Sequence, residues 1–143
     1  MYLRQKSYTF DTINIVPIKM NVKPTESELE ILGLLWETGE ASVREVHEKL
    51  SVSKDTGYTT TLKQMQVMHA KGLLDRYGEG RGHIYKPAIS QKETQTSLVK
   101  NFMSLAFGGS AKKLVMQALG QSEPSKEEIA EIRAFLNKLE NDK

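Results

Sequence analysis

Three histidines, no cysteine and a glycine-flanked arginine are the residues whose types first suggest chemistry. His47-Glu48 begins like the helix of a zinc protease, in which a second histidine stands four residues after the first. Here that position is Ser51. His69 and His83 stand at spacings that complete no metal set. Without cysteine there is no thiolate metal site and no disulfide, which suits a reducing compartment. Gly80-Arg81-Gly82 could be a phosphate-cradling loop, but such a loop should open a helix, and here apolar runs of strand type flank it. No nucleophile, base and orienting group can be assembled, so the reading is of no enzyme, no metal and no cofactor.

The run Tyr58-Thr59-Thr60-Thr61-Leu62 carries a different chemistry. Alone it could be a strand, because threonine forms helices poorly. The spacing of Met65, Met68 and His69 makes it the start of a helix from about Thr56 to Lys71. At about 100° per residue, Tyr58, Thr61, Leu62, Met65, Met68, His69 and Gly72 share one side. Thr56, Thr59, Thr60, Lys63, Val67 and Ala70 share the other, a short and mostly polar surface with one cation. Such a surface suits the major groove of DNA. Threonine methyls pack on thymine methyls, hydroxyls reach bases or phosphates, and Lys63 and Gln64 reach bases or backbone. Candidate DNA-binding residues are therefore Thr56, Tyr58, Thr59, Thr60, Lys63, Gln64 and Arg81, the last at a loop tip able to meet phosphate or the minor groove.

Capping residues define the elements that must position these groups. Thr25-Glu26-Ser27-Glu28 and Ser42-Val43-Arg44-Glu45 are capping boxes. They open helices ending near Glu37 and Leu50, with Gly39 stopping the first. Gly72 stands where a left-handed cap would end the third. Leu73–Tyr77 and His83–Ala88 read as strands around a glycine-rich tip. Three helices followed by a hairpin are the plan of a winged helix-turn-helix. Ser90 and Ser125 open further capping boxes, and Ser110 caps a short helix to Leu119, with a loop from Gly120 to Pro124. The first of these helices is broken by Gly108-Gly109. The expected fold is mainly α with a small two- or three-stranded wing: a DNA-binding domain over 24–89 and dimerisation helices over 90–143. Residues 1–23 read as a loose arm, or as residues ahead of a natural start at Met20.

Charge supports this division. Net charge is only +2, but Thr25–Leu50 is acidic whereas Ser51–Ile89 is basic, so the second stretch would meet a polyanion. No apolar run approaches the roughly 20 residues of a membrane helix, and no secretory signal is evident. The expected location is the cytoplasm. The C-terminal helices present Leu98, Phe102, Leu105 and Ile129, Ile132, Leu136, Leu139, more apolar surface than a small winged domain can cover. A homodimer is expected.

Pro24–Trp36 (PTESELEILGLLW) resembles the opening of the penicillinase-repressor family, the BlaI/MecI type. So do Tyr58–Leu62, Lys71-Gly72-Leu73-Leu74 and Arg81-Gly82-His83-Ile84-Tyr85. The resemblance implies a homodimeric transcriptional repressor on a near-palindromic, double-stranded operator. It also implies release when a membrane sensor metalloprotease triggers cleavage at an Asn-Phe pair, which Asn101-Phe102 matches in type and place. The absence of cysteine argues against the copper-responsive branch. Other readings are a ligand-responsive regulator of the MarR type, which needs a pocket between the dimer helices and the DNA domain, and a winged-helix protein-interaction module. A small hydrolase is disfavoured for want of a catalytic set.

Overall fold

The computed structural model describes residues 23–79 and 82–143. Its described residues divide into two compact units, one ending at Thr94 and one running Gln95–Lys143. The expectations for residues 1–22, and those for Gly80 and Arg81 at the loop tip, lie outside the described residues.

In the first unit α1 (Glu26–Thr38) is followed by β1 (Ala41–Ser42), α2 (Val43–Leu50), α3 (Tyr58–Ala70), β2 (Leu74–Tyr77) and β3 (Ile84–Pro87). Both expected capping boxes form. The Thr25 and Ser42 hydroxyls accept from the amides of Glu28 and Glu45, whose carboxylates accept from the cap amides. Gly39 closes α1 at φ +90°. Gly72, at φ +85°, closes α3: its amide donates to the His69 carbonyl, and the Leu73 amide donates to that of Met68. The chain thus turns directly from α3 into β2.

The sheet has three antiparallel strands in the order β1-β3-β2. Ala41 faces Tyr85, and Arg76 also faces Tyr85 from the other side. The two-residue β1 makes the wing three-stranded. The hairpin itself is closed by the Gly82 amide donating to the Glu79 carbonyl at 3.0 Å. Gly78 has φ +97°, and a Cβ there would stand 2.7 Å from the Gly82 carbonyl oxygen, so only glycine fits this corner. Tyr77 donates to Glu40 at 2.5 Å, joining the end of β2 to the loop before β1.

One apolar core serves this unit. Ile31, Leu32 and Leu35 of α1 meet Val43, Val46 and Leu50 of α2, Met65 and Met68 of α3, and Leu73, Leu74 and Tyr85 of the wing. The expected inner face of α3 is corrected at one position: Tyr58 is 44% exposed, because it lies in the first turn and reaches past the core. The start of α3 is also corrected. Gly57 has extended backbone and acts as the N-cap, so Thr56 precedes the helix rather than riding its outer face. Trp36 donates to the Ile89 carbonyl at 3.1 Å, tying the exit of the unit to α1.

The second group of helices is α4 (Gln91–Ala106), α5 (Ala111–Ser122) and α6 (Lys126–Asn141). The Ser90, Ser110 and Ser125 hydroxyls each accept an amide of the following first turn. Gly108 and Gly109 both take positive φ and separate α4 from α5. The expected end of α5 at Leu119 is corrected: the helix runs through Gly120 to Ser122. A lone glycine weakens a helix without ending it, whereas Pro124 bars its predecessor from continuing, and Glu123 turns left-handed at φ 48°. None of the three helices has a buried residue.

Glu28 is the one buried carboxylate among the described residues, 4% exposed. Burial by itself would raise its pKa. The Lys71 ammonium, donating to both its oxygens at 2.8 and 2.7 Å, and the Thr25 amide outweigh that and hold it below the ordinary 4.5. The ionised form is thus favoured by folding. Its contribution is present above about pH 4.5 and is lost as pH falls through the lowered folded value. Glu28→Gln should therefore cost about 1–3 kcal/mol at neutral pH. The deficit relative to the parent should narrow as pH falls through that lowered value, as denaturant melts at neutral and at acid pH would read. An equal deficit at both would show that the charge contributes nothing.

Candidate nucleic-acid interface

The α2–turn–α3 segment holds the candidate residues. α3 turns Thr61, Met65 and Met68 into the core, which forces the residues between them outward. Thr59, Thr60, Lys63, Gln66, Val67 and Ala70 are exposed along one side. Thr59, Lys63, Gln66 and Ala70 follow one another at helical spacings of four, three and four, a continuous stripe.

Most expected site residues are brought together here. Thr59, Thr60 and Lys63 stand side by side on the outward face, and Tyr58 flanks them in the first turn. Gln64 is partly buried. The longer-reaching glutamine on the outer face is Gln66, which the sequence reading passed over. Its signal was present, three residues after Lys63, but Gln64 and Gln66 differ only in phase. Thr56 is half-buried ahead of the helix.

The cations of the basic stretch divide by partner. Lys71 is bound to Glu28, and Lys54 reaches Glu30 of α1 at 2.7 Å. Arg76 donates to the Tyr85 hydroxyl at 3.3 Å. Among the described residues Lys63 makes no ion pair, so its charge is available to a partner. The acidic first helix is thus partly neutralised by the basic stretch. The charge contrast along the chain overstates what an anion would meet.

His47 of α2 lies against the start of α3. Its Nδ1 stands 3.2 Å from the Thr61 hydroxyl and its Nε2 3.4 Å from that of Ser51. Tyr58 presents its ring edge-on at 5.6 Å. Among the described residues no group of three or more His, Cys, Asp or Glu could hold a metal ion.

The proposed dimer residues lie in the second unit. On α4, Leu98, Phe102 and Leu105 are exposed, Leu105 to 77%; on α6, Ile129, Leu136 and Leu139 are exposed and Ile132 is half-buried. Asn101 and Phe102 sit inside α4, both exposed. Val99, Val115, Met116 and Phe135 add to this apolar surface and were not anticipated. No described helix is long and apolar enough to cross a membrane.

A family model described as penicillinase repressor matches residues 24–138. The methicillin resistance regulatory protein MecI of Staphylococcus aureus (strain N315) is 25% identical over 114 residues, spanning 80% of this chain and 93% of that protein. The penicillinase repressor of Bacillus licheniformis is 25% identical over 119 residues, 83% of this chain and 93% of that protein. Among solved structures, monomeric Bacillus licheniformis BlaI in complex with the blaP half-operator matches with TM-score 0.44 and 25% identity, covering 50% of this chain and 88% of that one. A MarR family protein from Bacillus stearothermophilus matches with TM-score 0.47 and 19% identity, covering 87% and 79%.

The outward stripe of α3 is free of structural duty. Lys63→Ala and Gln66→Ala should each change folding stability by less than about 0.5 kcal/mol. Thr61→Ala, at a buried hydroxyl bonded to His47, should cost about 1–3 kcal/mol. Thermal melts of the three variants would check this. A large loss at Lys63 would mean that the face carries the fold.

Proposed function

The chain belongs to the penicillinase repressor family, and on that premise we propose that it is a transcriptional repressor that binds a near-palindromic operator as a homodimer. Residues 24–89 act as the DNA-binding domain and residues 90–143 as the dimerisation region. The observation that carries the reading is the outward face of α3, which is exposed, uncommitted to the fold and shaped by short polar side chains around Lys63. Such a helix face fits a major groove, where Thr59, Thr60, Lys63 and Gln66 reach base edges. Tyr58, Thr56 and Gln64 flank that contact, and Arg81 meets the phosphate backbone. The exposed apolar residues of α4 and α6 support dimerisation, because a helix pair with no buried residue needs a second surface to cover it.

Gel shifts at rising salt on a duplex selected from a randomised pool test the DNA reading. The full chain should bind with affinity that falls steeply with salt. Lys63→Ala should lose roughly 1–3 kcal/mol on the selected duplex and little on random DNA. Salt-insensitive or absent binding would favour a protein-interaction module. Dimerisation is tested by replacing Leu136 and Leu139 together with aspartate. Light scattering should then report a monomer. Operator affinity should fall by about 10²–10⁴ as the tethering of two modules is lost.

Release by cleavage between Asn101 and Phe102 is the further part of the proposal. The cut would separate most of α4 from α5 and α6, leaving the DNA-binding unit intact but unpaired. A Phe102 variant that keeps dimerisation but resists cleavage should bind operator normally and fail to induce in cells carrying a sensor metalloprotease. Normal induction with the variant still full length would overturn this route and favour release by a ligand.

A further inference from the structure

The start of α3 is held in an unusual way. α1, α2, α5 and α6 each have a Thr or Ser side chain capping the first turn, but α3 begins at Gly57 with no side-chain cap. An uncapped first turn frays readily. This is also the turn that carries Tyr58, Thr59 and Thr60. The group that holds it comes from another helix: His47, which meets Thr61 through Nδ1, Ser51 through Nε2 and the ring of Tyr58 edge-on.

The hydrogen bonds fit a neutral ring that carries its proton on Nε2. The Ser51 hydroxyl donates to the His47 carbonyl at 2.8 Å, so its oxygen is left to accept from Nε2–H. Nδ1 then accepts from the Thr61 hydroxyl. A proton added at Nδ1 can also be accommodated. Nδ1–H would donate to Thr61, whose hydroxyl hydrogen would turn to the Gly57 carbonyl 3.5 Å away. Both states are therefore bonded, and surrounding charge decides between them.

Groups of both signs stand on the elements around the ring. From α3 the ring faces only Tyr58 and Thr61, both neutral. On its own helix Val43, Arg44, Leu50 and Ser51 stand one turn away, of which only Arg44 is charged, and it is cationic. In the connecting turn Lys54 is paired to Glu30 and Asp55 is an exposed carboxylate, and among the described residues no carboxylate forms an ion pair with the ring. From α1, Glu30 is the acidic group that reaches this turn. A phosphate backbone laid along the start of α3 would bring negative charge to this end of the helix and favour the protonated ring.

We propose that His47 is a positioning residue of the DNA interface, which fixes the first turn of α3 and takes up a proton when a nucleic-acid backbone binds there. The inference rests on the DNA-binding reading of α3. If the bound state favours the protonated ring, affinity must rise as pH falls through the range in which imidazole titrates.

The test uses the full chain and a duplex selected from a randomised pool, at constant ionic strength. Binding should be roughly three- to tenfold tighter near pH 6 than near pH 8. His47→Asn keeps a polar atom toward Thr61 but cannot titrate. It should bind about as the parent does at pH 8 and show no pH dependence. His47→Leu should lose affinity roughly tenfold at both pH values while its thermal melt still shows a cooperative fold. His69→Gln and His83→Gln should keep the parent's pH dependence. Unchanged pH dependence in His47→Asn, or parental affinity in His47→Leu, would overturn the role of His47 and leave DNA binding standing. Failure of the parent to bind any duplex would overturn both.

Discussion

Glu28 is where the geometry of the first unit is set. It is the third residue of α1 and closes the capping box with Thr25, and both its oxygens accept from Lys71 at the end of α3. One carboxylate therefore starts the first helix and pins the end of the third. The chain passes from Lys71 through left-handed Gly72 into β2, so the same contact sets the point from which the wing departs. A buried charge with a single partner would be costly. Here the amide and the ammonium together satisfy it, and Lys71 keeps part of its side chain in water, which limits the desolvation it suffers.

Around that anchor the two halves of the described chain obey opposite physical regimes. The first unit closes a core from α1, α2, α3 and the wing, with Ile31, Leu32, Leu35, Met65 and Met68 fully buried. The helices after Ser90 contain no buried residue, yet each starts on a serine cap: Ser125 closes the full capping box expected of it, while Ser90, also expected to form a box, supplies only the hydroxyl half. Local signals suffice to start and stop a helix. They do not supply a core, and the apolar side chains of α4 and α6 are left for a surface that these helices do not themselves provide.

The candidate interface follows from the same division of labour. The core claims one side of α3, and what remains outward is a row of threonines with Lys63, Gln66 and Val67. The charge that reaches a partner is smaller than the sequence count implies, because Lys54 and Lys71 are held by glutamates of α1. On the proposed reading, recognition would depend more on where α3 is held than on bulk charge, which gives weight to His47, Ser51 and Thr61 behind it.

Much of this was legible in the residues themselves. Capping boxes at Thr25, Ser42 and Ser125, the glycines at 39 and 72, and the spacing of Met65 and Met68 are local features, and α1, α2 and α6 start where the boxes place them. The winged-helix plan follows from their order. What the residues could not decide was anything that depends on a partner distant in the chain. Lys71 counts as a basic residue until α1 brings Glu28 to it, and His47 looks like a fragment of a metal motif until α3 packs across it. The choice between Gln64 and Gln66 turned on the phase of α3, which the burial of Thr61, Met65 and Met68 in the core sets. Capping and periodicity act over three or four residues and are written in order along the chain. Ion pairs, helix phase and the support of an uncapped helix start arise from contacts across 14 to 43 residues, which exist only once the core has closed.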